Sequence, residues 1–457
     1  MLRASALVER LGLPAVSIVT DAFVGIAHAI ADAEGIPGHP LAVMPHVIMT
    51  ETIESIRTTA REVLVDQIVA GLALSSDVVH AHPAPTTSTV DPAAIVATGS
   101  LEELFDDFEA RGWSDGLPFV PPTPDRVAAF LMHTSRAADE LLGVLPPAHG
   151  MATVWNTAVN GVMAGCRPEY MPLLLAIVEA IADPTFRLQD GGSTPGWEPL
   201  VIVSGPVVRE LGFNWSTGAM RVGRRSNSTV GRFVRLVMRN IAGIRVPPGQ
   251  TDKGTIGMPT NVALAEDEGA VRDIGWPTFA EERGFAGDDS VVTVQSIVSM
   301  SPPVYSAGTS PLDHARTLAE VIGSHWSSKA WDGLYFGQLH PLLVLSPSIA
   351  RAFSIGGWDK NAIRSYFKEH VLVTAESMQR YAWQASGITI DLHKMVAGGL
   401  IEPVYAEGID PERLVPALRD NAQIGIIVAG DAGRNQSRGY VQQHRQGPPT
   451  SRVIRRS

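Results

Sequence analysis

The stretch that decides the fold runs from residue 13 to residue 72: LPAVSIVTDAFVGIAHAIADAEGIPGHPLAVMPHVIMTETIESIRTTAREVLVDQIVAGL. Ala15 to Thr20 reads as a short apolar strand, Asp21 to Ala33 as a helix, Leu41 to Pro45 as a second strand, and Glu51 to Leu72 as a long helix. Alternation of strand and helix points to parallel strands joined by crossover helices. Ligands in such sheets sit at the carboxyl ends of the strands, so Thr20, Asp21 and His46 fall on one rim, with Asp21 and His46 as candidate substrate contacts. Thr20 serves equally well as a helix N-cap and His46 as a loop residue.

Outward from this unit the composition changes. Between His80 and Gly99 the chain turns to His, Pro, Thr, Ser and Ala with no helical period, the make-up of a linker. Ser100 followed by Glu103 is a capping-box pattern ahead of Leu104, Phe105 and Phe108, and Pro124 opens a second helix. Further helices are expected over Ala152–Gly165, Glu169–Ala182 and Thr229–Ala242, with others near Leu312–Ile322, Pro347–Phe353 and Asp359–His370. Strands are expected over Leu200–Ser204, Val291–Val298, Leu342–Leu345 and Ile424–Val428. No repeat is legible, which excludes a solenoid. The expected architecture is α/β, with a small parallel βαβα unit over residues 1–78, a linker over 79–99, and a larger mixed α/β or α+β unit over 100–457.

The bulk numbers fit a folded chain of about two or three domains: 457 residues, 45% hydrophobic and 18% charged. A net charge of −11 excludes a general nucleic-acid binder or a binder of anionic membranes, since both partners require a basic face. The local exception is the tail from Arg434 to Ser457, with six arginines and no acidic residue. It is expected as a solvated arm, or as a segment that touches an anion or an acidic neighbour. The single cysteine, Cys166, rules out an intramolecular disulfide and fits a reducing, cytoplasmic compartment. No apolar run approaches the ~20 residues of a membrane span.

Several constellations bear chemistry. Cys166 precedes Pro168, the expected first position of a helix, and Arg167 is adjacent. Helix-start amides and a cation both favour a thiolate, which makes Cys166 a candidate nucleophile or redox thiol, while inert packing is the competing role. The loop Gly223 to Ser228 runs into a helix start that presents free amides to an anion. Arg232, Arg235 and Arg239 then recur on one helix face, with Arg232 and Arg235 as expected anion holders and a solvated basic stripe as the alternative. Asn214, Ser216 and Asn227 flank the loop as candidate orienting groups, or as turn residues. Glu266 and Glu282, from two acidic runs, are the expected acid/base residues.

The histidines show no metal-binding spacing. Gly430-Asp431-Ala432-Gly433 follows a strand but precedes no helix, which disfavours a dinucleotide fingerprint, and the Gly-x-Ser-x-Gly elbow is absent. Neither a metal nor an identifiable cofactor is indicated.

The strings Leu13-Pro14-Ala15-Val16, Thr20-Asp21-Ala22-Phe23 and Met44-Pro45-His46 resemble the UGSC-like (seleno)protein domain, named for a selenocysteine or cysteine, Gly, Ser, Cys motif. The larger unit resembles a companion bacterial family sometimes labelled thiol-disulfide or TlpA-like, through Gly112-Trp113-Ser114-Asp115-Gly116-Leu117-Pro118, Met163 to Tyr170, Asn227 to Arg232 and Glu282-Arg283-Gly284-Phe285. The resemblance favours Glu282 and adds Asp115 to the substrate-binding candidates. It also implies a motif just upstream of the helix entering Leu11, where the sequence from Met1 does not hold it. With Cys166 alone, a dithiol mechanism within one chain is not expected, because disulfide exchange needs a resolving thiol.

The expectation is an enzyme acting on a small polar or anionic substrate, with thiol or redox chemistry at Cys166. One alternative is a non-catalytic binding or assembly subunit beside a chain that holds the thiols, and another is a carboxylate-dependent hydrolase or lyase. The expected partners are a small-molecule substrate and either a second copy of the chain or a partner subunit.

Overall fold

Strand β1 (Ser17–Thr20) pairs in parallel with β2 (Leu41–Met44), residue for residue from Ser17 opposite Leu41 to Thr20 opposite Met44. The structure is a computed structural model that describes residues 2–45, 51–74, 91, 93–191, 196–245, 256–258, 261–337, 339–420, 422–442 and 446–455. His46 and most of the expected linker, residues 79–90 and 92, lie outside the described residues. Leu2, Ala6, Ala27, Ala31 and Ile36 form one small core of the N-terminal unit, and Ala42, Met44 and Leu64 form another. The larger cores draw on none of these residues. The long helix expected from Glu51 is seen as Ile53–Thr59 and Val65–Leu72, with a wider turn at Ala60–Leu64 between them.

The large unit opens as its sequence dictates. The amide of Glu103 donates to Ser100 Oγ at 3.3 Å and the amide of Ser100 donates to Glu103 Oε2 at 2.7 Å, starting the helix Leu101–Ala110. A hairpin of β3 (Leu141–Leu145) and β4 (Gly150–Thr153) leads into the helices Val154–Ala164 and Met171–Ala182.

The next strands are β5 (Glu198–Ser204), β6 (Leu264–Ala265), β7 (Val291–Ile297), β8 (Ser299–Met300), β9 (Val304–Tyr305) and β10 (Leu342–Leu345). They are followed by a short antiparallel pair, β11 (Leu372–Thr374) and β12 (Leu414–Pro416), and by β13 (Gly425–Val428), β14 (Gln436–Val441) and β15 (Thr450–Val453). These strands build two sheets, ordered β6-β5-β7-β15 and β13-β10-β14-β8, with β9 also pairing β14.

Period-two alternation makes four layers of these sheets. Along β5, Val201 and Val203 pack against the helices that flank the first sheet, while Leu200 and Ile202 face Leu342, Ile427 and Tyr440 of the second. Along β13, Ile426 and Val428 pack against helices on the far side, and Ile427 faces inward. The order is therefore helix, sheet, sheet, helix, a buried arrangement that the apolar runs of β5, β10 and β13 require.

The two sheets repeat one plan, a regularity the sequence does not announce. In each, a central strand pairs in parallel with one neighbour (β5 with β6, β10 with β13) and antiparallel with the other (β7, β14), which carries a further antiparallel strand. A serine stands at the end of β5, Ser204, and directly after β10, Ser346, with Pro206 or Pro347 at the start of the helix that follows. The outermost strands are exchanged. The chain steps from β7 through Val298 into β8 of the second sheet, and from β14 back to β15 of the first. The arginine-bearing tail is thus no solvated arm: it supplies β14, whose backbone pairs with β10 and β8, and β15, whose backbone pairs with β7.

Among the described residues no helix is long and apolar enough to cross a membrane.

Candidate functional site

A cleft of about 1030 Å³ opens between the two sheets, lined by Leu264 of the first and by Met300, Val344 and Tyr440 of the second. It lies at the carboxyl ends of the parallel strands β10 and β13, where Ser346 and Ala429-Gly430-Asp431 leave the sheet. Gly430, at φ +111°, takes a turn that a side chain would resist, and its amide donates to the carbonyl of Trp215 at 2.8 Å. Asp431 Oδ1 accepts from the amide of Gly433 at 2.8 Å, holding the lip in place. The opposite wall is the segment from Asn214 to Arg224. It is seated by the helix Arg225–Asn240, which approaches closely because Gly231 meets the Asn261 backbone: a Cβ there would lie 2.6 Å from the Asn261 carbonyl carbon.

Four arginines line this cleft, Arg221 and Arg224 from one wall and Arg434 and Arg438 from the other, against one carboxylate, Asp431. None of the four forms an ion pair among the described residues. Arg438 is half-buried and donates from Nη1 to the carbonyl of Ser301 at 3.3 Å, while the other three are exposed. Asn261 Oδ1 and Ser437 Oγ, both of lining residues, are buried without hydrogen-bond partners among the described residues. Such a surplus of positive charge, partly screened from water by the sheets, attracts an anion.

The residues expected from sequence to hold the anion are engaged elsewhere. Arg232 is clamped to Asp115, Nε to Oδ2 at 2.8 Å and Nη2 to Oδ1 at 2.7 Å, and donates further to the carbonyls of Pro118 and Leu117. Arg235 pairs with Glu198. Arg232 and Asp115 meet each other's charge, Arg235 meets that of Glu198, and none of the three lines the cleft. Asn227 is fully buried, accepts from the amide of Asn214 at 2.7 Å, and donates to the carbonyls of Asn214 and Ala263 at 2.9 Å each, so its amide is spent on the backbone. The helix begins at Arg225 and not at Thr229, which draws Asn227 into its first turn. Asn214 does line the cleft, but its Nδ2 donates to the carbonyl of Thr217 and its Oδ1 accepts from the amide of Ser216, which is exposed in the same turn. Asp21 is exposed at the end of β1, where its Oδ1 accepts from the amide of Ala22 at 2.6 Å.

The two expected acids do converge, on a residue that sequence reasoning missed. Lys360, 2% exposed, places Nζ 3.0 Å from Glu282 Oε2 and 4.0 Å from Glu266 Oε1. Arg364 Nη2 reaches Glu282 Oε1 at 2.8 Å. Glu266, 1% exposed, accepts at Oε2 from the amide of Phe279 at 2.8 Å. Burial pushes the Glu266 carboxyl up to about 7, against the opposing charge of Lys360. Glu266 also lines a second cleft of about 260 Å³ on the β5 and β6 rim, with Arg209, Trp215 and Glu268, whose carboxyl is likewise raised by burial.

Cys166 follows the helix Val154–Ala164, whose left-handed cap Gly165 turns the chain so that the Cys166 amide returns to the carbonyl of Gly161 at 3.0 Å. The sulfur sits in the apolar core at 4% exposure. Burial pushes the thiol up to about 12, outweighing its hydrogen bond with Thr229 and the charges of Arg225 and Arg232. The helix-start activation expected from Pro168 is overridden, because desolvation acts on the whole charge and the amides only on its edge.

The signal that pointed to Arg434 and Arg438 was the acid-free tail. Nothing marked Arg221, and Arg224 was visible only as part of the glycine- and serine-rich loop.

Residues 1–73 match the model of the UGSC family. No curated protein and no solved structure matches the chain. The arginine cleft lies outside the matched residues.

Proposed function

We propose that the chain is an enzyme acting on a small molecule that carries two or more negative charges, bound in the cleft between the sheets. The observation that carries this reading is the set of four arginines, without ion pairs among the described residues, that line with one carboxylate a cleft of about 1030 Å³ at the carboxyl ends of β10 and β13. Two arginines come from each wall, so a substrate with two separated anionic groups engages both walls at once. The groups lining this cleft that can move a proton include Asp431 and Tyr305 and no thiol, which gives a carboxylate-dependent hydrolase or lyase precedence over thiol chemistry.

A second reading has its own support. Residues 1–73 match the UGSC family, and the thiol-disulfide chemistry implied by a TlpA-like likeness of the larger unit needs an accessible thiolate. With Cys166 in the core, that thiolate belongs to another chain, and this chain is then a binding or assembly subunit.

Thermal shift with inorganic phosphate and with succinate, against chloride at matched ionic strength, tests the anion cleft. A saturable rise in melting temperature is expected, with midpoints weakened about tenfold or more in Arg221→Gln and Arg438→Met, as for loss of a charge-assisted hydrogen bond. Equal rises in wild type and both variants would reduce the cleft to a solvated surface. Turnover of a bound anion separates the enzyme from the binding subunit.

A further inference from the structure

A second cavity, of about 550 Å³, lies at the other end of the Arg225–Asn240 helix and shares no lining residue with the arginine cleft. Its walls include Phe108, Trp113 and Phe119 on one side and Trp155, Val159 and Met163 of the helix Val154–Ala164 on another. Phe108 stacks on Phe119 with ring centroids 4.6 Å apart and meets Trp113 edge-on at 5.3 Å. The segment from Ala93 to Thr98 closes a further side, with Val96 tethered through its carbonyl to Arg111 Nη2 at 3.4 Å. None of the lining side chains is ionisable.

The polar groups of the cavity are chiefly three asparagines, and a chain of hydrogen bonds orients them. Asn160 Nδ2 donates to the main-chain carbonyl of Asn156 at 2.8 Å, so its Oδ1 must accept; it does so from Asn240 Nδ2, also at 2.8 Å. That fixes the remaining atom of Asn240 as an acceptor. Asn240 Oδ1 is buried and has no hydrogen-bond partner among the described residues. That oxygen exposes no surface, so a molecule in the cavity does not reach it.

We propose that this cavity binds an uncharged, largely apolar planar molecule. The volume falls within the range of small-molecule pockets, roughly 300–1,000 Å³. Aromatic walls favour a flat ring, and an ionised ligand would find no counter-charge there. The site is chemically opposite to the arginine cleft, so its occupant is a different molecule from the anionic substrate.

Titration of the full-length protein with aminoanthracene, a neutral amine whose emission rises in apolar surroundings, tests the proposal. A saturable rise with a single site per chain is expected. Val159→Phe, which fills the cavity from the helix, abolishes it; should that variant lose its cooperative melt, Ala97→Phe fills the cavity from the opposite segment and carries the test. Failure to saturate, or binding by both cavity-filling variants equal to wild type, overturns the site.

Discussion

Arg232 and Asp115, 117 residues apart in the chain, meet in a two-pronged pair with both hydrogen bonds under 3 Å and both side chains largely buried. The pair ties the turn after the capping-box helix to the middle of the Arg225–Asn240 helix. It is a fastening and not a receptor, because every donor that Arg232 contributes ends on Asp115 or on a neighbouring carbonyl.

Removing one partner therefore strands the other. Arg232→Ala is expected to cost about 2–4 kcal/mol of stability, in the range for breaking a mostly buried ion pair. Its phosphate-dependent rise in melting temperature should match that of wild type, since the cleft arginines are untouched. Urea unfolding and thermal shift measure the two effects, and loss of the rise without loss of stability would return Arg232 to the anion site.

Glu266 makes stability depend on pH with a definite sign. Burial raises its carboxyl from 4.5 to about 7 in the folded chain, so between these values the folded state holds a proton that the unfolded state has released. That contribution is full below about pH 4.5 and is lost as pH rises through about 7, a change on the order of a few kcal/mol. Glu266→Gln should remove this part of the slope. Denaturant midpoints at about pH 5 and about pH 8 give the difference, and identical slopes in both proteins would contradict it.

A thiol pushed up to about 12 by burial is almost wholly protonated at neutral pH, so native Cys166 should resist iodoacetamide. Alkylation is expected only as fast as the protein unfolds. Cys166→Ser should cost about 1–3 kcal/mol by burying a hydroxyl in an apolar site. Mass spectrometry of the native and urea-unfolded chains decides the point, and rapid native labelling would reopen the thiol mechanism.

The exchanged strands make the tail indispensable. β15 covers Val291 to Val294 of β7, Thr450 Oγ1 donates to the carbonyl of Ala180 at 2.7 Å, and Arg452 Nη2 reaches Asp183 Oδ2 at 2.7 Å. A chain ending at Val441 should expose an apolar strand edge and aggregate. Light scattering of the truncated chain checks this, and a monodisperse product with unchanged melting temperature would show the tail to be dispensable.

Much of the local structure was legible in the sequence because its causes are local. The capping box at Ser100 and Glu103, the strand Leu342–Leu345 and the buried apolar run of β5 follow from neighbours a few residues apart, so the local pattern alone determines them. The parallel pairing of β1 and β2 followed in the same way from the order of elements. Only the tertiary structure decided which charges remain available. Arg232 and Arg438 look alike in sequence, yet one meets Asp115 across 117 residues and the other opens onto a cleft, and no spacing rule carries that distinction. Glu266 and Glu282 were visible as acids, but Lys360 joins them across a separation of 78 residues or more. Cys166 shows the same division: its helix-start position is written in the sequence, while the burial that outweighs it comes from side chains folded over it from the rest of the core.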